Sequence, residues 1–300
     1  METLLNGLVR GAIYALIALG YTMVYGILGM INFAHGEVYM IGMFAGILTL
    51  AACASLDVLP FGISLALAFG MAMTISAAYG YTNERVAYRP LRKAHILAPL
   101  ISAVGVSTFL QNFIMNAQTK DKLDFPQAYS QPLVETTFQL GGAQISLLQI
   151  LIIGLSVALM VGLQLLVMYT PLGKAMRACS QDRTMASLVG IPVDRVITYT
   201  FIIGSALAAA AGMLFSMYNS VARFDSGYIA GLRAFTAAVL GGIGNIPGAM
   251  LGGFLIGLIE DLTAYHYGAD WKDISAFCAL MIILIFRPRG LLGERVAEKL

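Results

Sequence analysis

An all-α protein that crosses a lipid bilayer many times is predicted by three features of this 300-residue chain. Hydrophobic residues make up 59% and charged residues 11%, where a soluble domain carries roughly 25% charge. Mean hydropathy is +0.80, and apolar runs near the ~20 residues that span ~30 Å of hydrocarbon recur throughout. The 32 glycines fit close helix packing in membranes. Lipid-facing spans must satisfy their backbone internally and are therefore helices. The class is a polytopic helical membrane protein, a single transmembrane domain over residues 1–300.

Spans are expected near 11–30, 38–56, 60–82, 95–117, 147–169 and 196–218, then near 228–243, 248–263 and 274–287. The 228–243 segment is short; without a full crossing there the count is eight rather than nine. The first span is not a signal peptide, because METLLNGLVR lacks a basic start and a small-residue cleavage site and the apolar run continues too far. A loop at 118–146 and a polar loop at 170–195 interrupt the series.

Orientation follows from Lys and Arg in the loops. Arg85, Arg89, Arg92 and Lys93 cluster in one, Lys174, Arg177, Arg183 and Arg195 in another, and Arg287, Arg289, Arg295 and Lys299 in the tail. In 118–146, Lys120 and Lys122 are mixed with Asp121, Asp124 and Glu135. The three basic regions are expected in the cytoplasm, the 118–146 loop outside, and the C-terminus cytoplasmic. Counting back puts the N-terminus outside and the turn at 31–37 inside.

Several chemistries lack their residues. There is no GxxxxGK[ST] phosphate loop, HExxH or Ser/His/Asp arrangement, and Cys53, Cys179 and Cys278 are too scattered for a metal cluster. GGIGNIPG (241–248) departs from GxGxxG and follows an apolar helix, so it reads as a tight turn between spans. No cofactor, metal or nucleic acid is expected. Arg10, Arg233 and Glu260–Asp261 fall near span ends within reach of headgroups, leaving almost no ionisable group at mid-membrane to serve a proton-driven carrier.

Polar chemistry concentrates at GYTMVYGILGMINFAHGEVYM, from Gly20 to Met40. Tyr21, Asn32, His35, Gly36 and Glu37 make a polar break that can line a gate or pathway. The structural alternative is that Asn32 caps a helix while His35 and Glu37 satisfy its exposed end. Residues 234–253 echo this pattern loosely, with Asn245 in the corresponding turn, as in a parallel internal repeat.

The loop at 170–195 is organised. Pro171 ends one span and KAMRACSQDRTMASLVGI reads as two short amphipathic pieces. In the second, Met185, Leu188 and Val189 share an apolar face, Arg177, Asp182 and Arg183 supply polar groups, and Gly190 and Pro192 end it. By physical chemistry alone, such a helix fits equally a groove on another protein or an anionic headgroup layer.

Ala186–x3–Gly190 is similar to the core of the cytoplasmic coupling loop in permease subunits of bacterial ABC importers. Further, YTMVYGILGMINFAHGEVYMIG (21–42), ERVAYRPLR (84–92), ISAVGVSTFLQN (101–112), GKAMRACSQDRTMASLVGIPVDRV (173–196) and RAFTAAVLGGIGNIPGAMLGG (233–253) resemble the LivH-type permease of high-affinity branched-chain amino acid importers. The chain departs from the importer motif in lacking its leading Glu, since Thr184–Met185–Ala186 stands where Glu-Ala-Ala would.

The resemblance implies import of leucine, isoleucine and valine across the bacterial inner membrane, driven by ATP hydrolysed elsewhere. Implied partners are a companion permease, two ATP-binding cassette subunits, an external amino-acid binding protein, and membrane lipid. The coupling residues it implies are Gly173, Arg177, Ala178, Asp182, Arg183, Ala186, Leu188, Gly190 and Ile191. The rival classes are a self-sufficient channel or carrier for a small solute, and an ABC permease for a related amino acid, amide or urea.

Overall fold

A computed structural model describes residues 2–56, 59–92, 94, 95, 97–140 and 143–293. Lys93, Arg295 and Lys299 of the expected basic clusters lie outside these residues. The chain forms α1 (Glu2–Leu28), α2 (His35–Leu56), α3 (Phe61–Asn83) and α4 (Leu97–Ala117). Two short strands, β1 (Leu123–Asp124) and β2 (Thr137–Leu140), flank α5 (Gln127–Glu135), and β3 (Ala143–Ser146) completes a hairpin with β2. Then follow α6 (Leu147–Tyr169), α7 (Pro171–Gln181), α8 (Arg183–Leu188), α9 (Val193–Asn219) and β4 (Val221–Ala222). The last helices are α10 (Ser226–Gly241), α11 (Ile246–Tyr267) and α12 (Lys272–Phe286).

Among the described residues seven helices are long and apolar enough to cross a membrane, α3 being continued by a π turn and a 3-10 turn to Leu91. The remaining two predicted spans are α10 and α12, of 16 and 15 residues. Where predicted bounds missed, side-chain pairing explains it. The first helix begins at Glu2 rather than near residue 11 because Arg10 does not stay at a span end; its guanidinium meets Asp261 of α11 at 3.4 Å. The 118–146 loop is likewise more structured than expected: α5 buries Tyr129 and Leu133, and Tyr129 stacks on Phe61 with centroids 5.6 Å apart.

The helix α1 is the centre, with nearly every residue from Gly7 to Val24 buried. It runs antiparallel to α11 through two small-residue ridges, Gly7-xxx-Gly11 and Gly253-xxx-Gly257. A Cβ on Gly11 would lie 2.8 Å from the Cα of Phe254, so these glycines set the interhelical distance, and close backbone approach is the main source of attraction where lipid removes the hydrophobic drive. On other sides α1 meets α9, α10, α6 and α7, while α3 and α2 pack on α9.

Polar ties identify which ends share a face. Asn6 Oδ1 accepts from Gln149 Nε2 (2.8 Å) and Tyr218 Oη (3.2 Å), joining the starts of α1 and α6 to the end of α9. On the opposite face Arg89 Nη2 donates to Asp194 Oδ2 at 2.7 Å, joining the end of α3 to the start of α9. There Gly26 adjoins Gly244, and Leu291 N and Leu292 N donate to the carbonyls of Leu240 and Gly241, so the turn after α10 and the C-terminal segment share the face of the 170–195 loop. The chain therefore passes from one face to the other between Asn219 and Gly244, although α10 itself spans only about 24 Å at 1.5 Å per residue.

Candidate functional site

The 170–195 loop is built by its own caps. Thr170 Oγ1 accepts from Gly173 N (3.0 Å), and Pro171 sits in the first turn of α7, where a missing N–H costs nothing. Asp182 Oδ1 accepts from Thr184 N (2.8 Å) and Met185 N (3.0 Å), starting α8. Gly190, at φ +86°, ends it in the left-handed region.

Within this loop the implied coupling residues divide. Gly173 is buried, and a Cβ there would run into the carbonyls of Leu166 and Val167, so it lets α7 fold back on α6. Ala186 is buried, while Ala178 and Ile191 are half-buried. Arg177 is exposed and bonds the Met168 carbonyl at 3.2 Å; Arg183 is exposed. The outward tip is apolar: Met185, Leu188 and Val189 are 63%, 75% and 77% exposed. Burial pushes the Cys179 thiol up from its ordinary range, with Arg183 opposing. Behind the tip, α7 packs against α6, α9 and α1, so displacement of the loop reaches the central helix directly.

At the other polar break, Gly29 turns the chain at φ +68° and Asn32 Oδ1 accepts from Ala34 N (3.1 Å) and Tyr88 Oη (2.5 Å). The turn at 242–245 repeats the device: Gly244 has φ +96° and Asn245 Oδ1 accepts from Gly248 N at 2.9 Å, capping α11. The loose echo in sequence thus corresponds to two adjacent glycine–asparagine turns. His35 is buried with its ring edge-on to Tyr21 (4.8 Å) and closely packed on Gly20, the nineteenth of 27 residues in α1. Gly36 admits the backbone of Gly227 and Gly231 in α10.

Helix α2 therefore starts inside the bundle, not at its edge. Glu37, 1% exposed, accepts a 3.0 Å bond from Ser107 Oγ, and Ser107 is the eleventh of 21 residues of α4. An ionisable group is thus present beside the middle of a span, contrary to the sequence expectation; the chain folds back after Gly29 before α2 begins, a depth no linear span map contains. The charges expected at headgroups also turn inward. Arg233 donates to Tyr14 Oη (3.0 Å) and Asp273 (2.6 Å) and lies 3.4 Å from Glu260, while Lys272 and Arg10 flank Asp261.

A cavity of about 370 Å³ opens between α1, α4 and α10, lined by Tyr21, Phe33, Val104, Ser107, Thr108, Gln111, Tyr228, Gly231 and Leu232. Of the sequence candidates Tyr21 lines it and Glu37 stands behind Ser107. Asn32, His35 and Asn245 do not line it. Sequence reasoning predicted α4 as a span but missed its part in the cavity; the signal was the cluster of polar residues Ser107, Thr108, Gln111, Asn112 and Asn116 in the second half of a largely apolar span.

The family described as the permease component of a branched-chain amino acid transport system matches residues 3–286. The chain is 48% identical over 301 residues to the high-affinity branched-chain amino acid transport system permease protein BraD of Pseudomonas aeruginosa, covering 100% of this chain and 97% of that protein. It is 43% identical over 299 residues to the corresponding permease LivH of Escherichia coli, again covering 100% and 97%. A probable LivH of Methanocaldococcus jannaschii is 26% identical over 308 residues, 96% of this chain and 91% of that one. No solved structure matches. A match over nearly the full length, on a bundle with the membrane helices and interrupted turns just described, makes this chain a member of the branched-chain amino acid transport permease family.

Proposed function

We propose that this chain is the membrane-spanning permease subunit of an ATP-driven importer that translocates leucine, isoleucine and valine delivered by an external binding protein. Its relatives are named as permease components of high-affinity branched-chain amino acid transport systems, and ATP hydrolysis belongs to partner subunits. The complex comprises this chain as one permease domain over 1–300, a companion permease, two ATP-binding cassette subunits and the binding protein. It resides in the bacterial inner membrane, with the C-terminal segment and the 170–195 loop cytoplasmic and the 118–146 loop outside.

The observation that carries the coupling role is the exposed apolar tip Met185–Leu188–Val189 on a helix fixed by caps at both ends. A helix lying at the headgroups would need only the apolar face; a rigid, capped tip backed by α7 suits insertion into a groove. Arg177 and Arg183, exposed beside it, are the polar contacts. Closure of the ATPase pair then draws α8 and α7 together and rotates α1 and α9 between outward and inward states. Tyr21, Gly36 and Glu37 belong to the pathway, and Asn32, His35 and Asn245 hold the turns that shape it.

The test is reconstitution of the complete complex in proteoliposomes with ATP inside and binding protein outside. The expected result is ATP-dependent leucine uptake that is lost on Leu188→Asp while the permease pair still assembles. Leucine flux through this chain alone, without ATPase subunits, would overturn the reading in favour of a self-sufficient carrier.

A further inference from the structure

The outer half of α4 presents a polar surface that lipid cannot accommodate. Thr108, Asn112 and Asn116 recur every fourth residue, so they share one helix face, and all three are exposed. Ser107 and Gln111 continue this sector into the 370 Å³ cavity. The hydroxyl of Thr108 and the amide nitrogens of Asn112 and Asn116 bond backward to carbonyls of their own helix at 2.8–3.0 Å. Among the described residues the amide oxygens of Asn112 and Asn116 have no such partner. In hydrocarbon each unsatisfied amide costs several kcal/mol, so this face meets water, solute or protein.

The face is bounded on both sides. Around the helix, Phe109 and Phe113 stack with centroids 6.1 Å apart and are exposed, the surface that suits lipid. Along the helix toward the coupling loop, the same sector turns apolar at Val104, Ile101 and Leu97. The polar stretch from Ser107 to Asn116 therefore runs from the middle of α4, about 15 Å at helical rise, to the face opposite the 170–195 loop. At its deep end stands Glu37, whose Oε1 is bonded to Ser107 and whose Oε2 is buried without a hydrogen-bond partner among the described residues.

We infer that this surface is the outward-open wall of the translocation pathway and that its deep end binds the ammonium group of an α-amino acid zwitterion. Glu37 supplies the negative charge and orients Ser107. Gln111 and Thr108 supply hydrogen bonds above it, and Phe33, Val104 and Leu232 supply an apolar wall for the side chain. A cavity of about 370 Å³ lies within the ~300–1,000 Å³ of small-ligand sites. Apolar lining with a few convergent polar groups is the usual composition of such sites. Glu37 is a positioning residue, acting on the ammonium through the hydroxyl of Ser107 and through its charge.

The inference rests on the amino-acid importer reading, and its test separates the two. In the reconstituted complex, cysteines replace Thr108, Asn112, Asn116, Phe109 and Phe113 one at a time in a background without native cysteines. A membrane-impermeant methanethiosulfonate is added from the binding-protein side. Labelling at 108, 112 and 116 at least tenfold faster than at 109 and 113, slowed several-fold by leucine with its binding protein, is the expected result. Equal rates at the two sets, or slow labelling throughout because a partner helix covers the face, overturns it.

Glu37→Gln keeps an acceptor for Ser107 and removes the charge. It should raise the KM for leucine uptake tenfold or more at equal amounts of assembled complex. A KM within twofold of the parent refutes the ammonium site. Absence of leucine transport in the parent complex itself would instead sink the importer reading.

Discussion

Tyr88 Oη donates a 2.5 Å hydrogen bond to Asn32 Oδ1, tying the end of α3 to the turn that launches α2. The same oxygen accepts Ala34 N at 3.1 Å, so one buried amide serves as helix cap and as interhelical bridge. The two duties are separable. Asn32→Ala loses both and strands a buried hydroxyl, a cost of about 2–4 kcal/mol from cap and desolvation together. Tyr88→Phe removes only the bridge and should cost about 1 kcal/mol. Thermal unfolding of the detergent-purified chain should therefore show a large loss for the first and a small one for the second. Equal losses would mean that neither the cap nor the stranded hydroxyl adds a cost.

Gly190 has open space around its Cα but a backbone at φ +86°. A substitution there is opposed by conformation and not by collision, so cost should follow left-handed propensity: Asn mild, Ala intermediate, Val worst, with about 1–2 kcal/mol of backbone strain for ordinary residues. Leucine-stimulated ATP turnover of the complex should fall in that order. Ser187→Val, on the exposed side of α8, should change it little. If the order instead follows side-chain volume alone, a contact at Gly190 and not the helix exit is what matters.

Elements whose ends carry their own chemistry are legible in the amino-acid order alone. The expected span 147–169 coincides with α6, because Ser146 and Gln149 form a reciprocal capping box at one end and Thr170–Pro171 stops the other. Asp182 and Gly190 mark α8 in the same way. Depth is not legible. That Glu37 lies beside Ser107 depends on the chain folding back after Gly29, and that Arg10 joins Asp261 depends on α1 and α11 being antiparallel neighbours. Both are tertiary facts, and a local reading puts such charges at the nearest span end. The polar face of α4 is visible as spacing, but its meaning requires knowing that no other described part of this chain covers it.

The passage from one face to the other between α9 and α11 can be checked chemically. Asn219 and Pro247 are both exposed, near the end of α9 and in the first turn of α11. Single cysteines at these positions should react with impermeant maleimide from opposite sides of a sealed vesicle. Cys278 is exposed and is replaced by Ser in this background, while Cys179 is a poor competitor, being 1% exposed with its thiol raised by burial. Labelling of both positions from one side would mean that α10 is re-entrant.

The last prediction concerns the charge cluster at α1, α10, α11 and α12. Glu260 is wholly buried; Tyr14 Oη donates to its Oε2 at 2.9 Å, and Arg233 is 3.4 Å from its Oε1. Arg233 also binds Asp273 of α12, so one guanidinium neutralises a buried carboxylate and anchors this short helix. A buried ion pair is not in itself a large source of stability, because desolvation offsets most of the attraction. Removing one member is different, since it leaves the other charged in a medium that cannot solvate it. Arg233→Met should therefore destabilise the chain by about 3–5 kcal/mol. Adding Glu260→Gln should restore much of this by removing the orphaned charge, while the loss of the Asp273 contact remains. Protease resistance and melting temperature of the single and double variants decide the matter: a double variant as unstable as Arg233→Met alone would show that the anchoring of α12, and not charge neutralisation, is the work of Arg233.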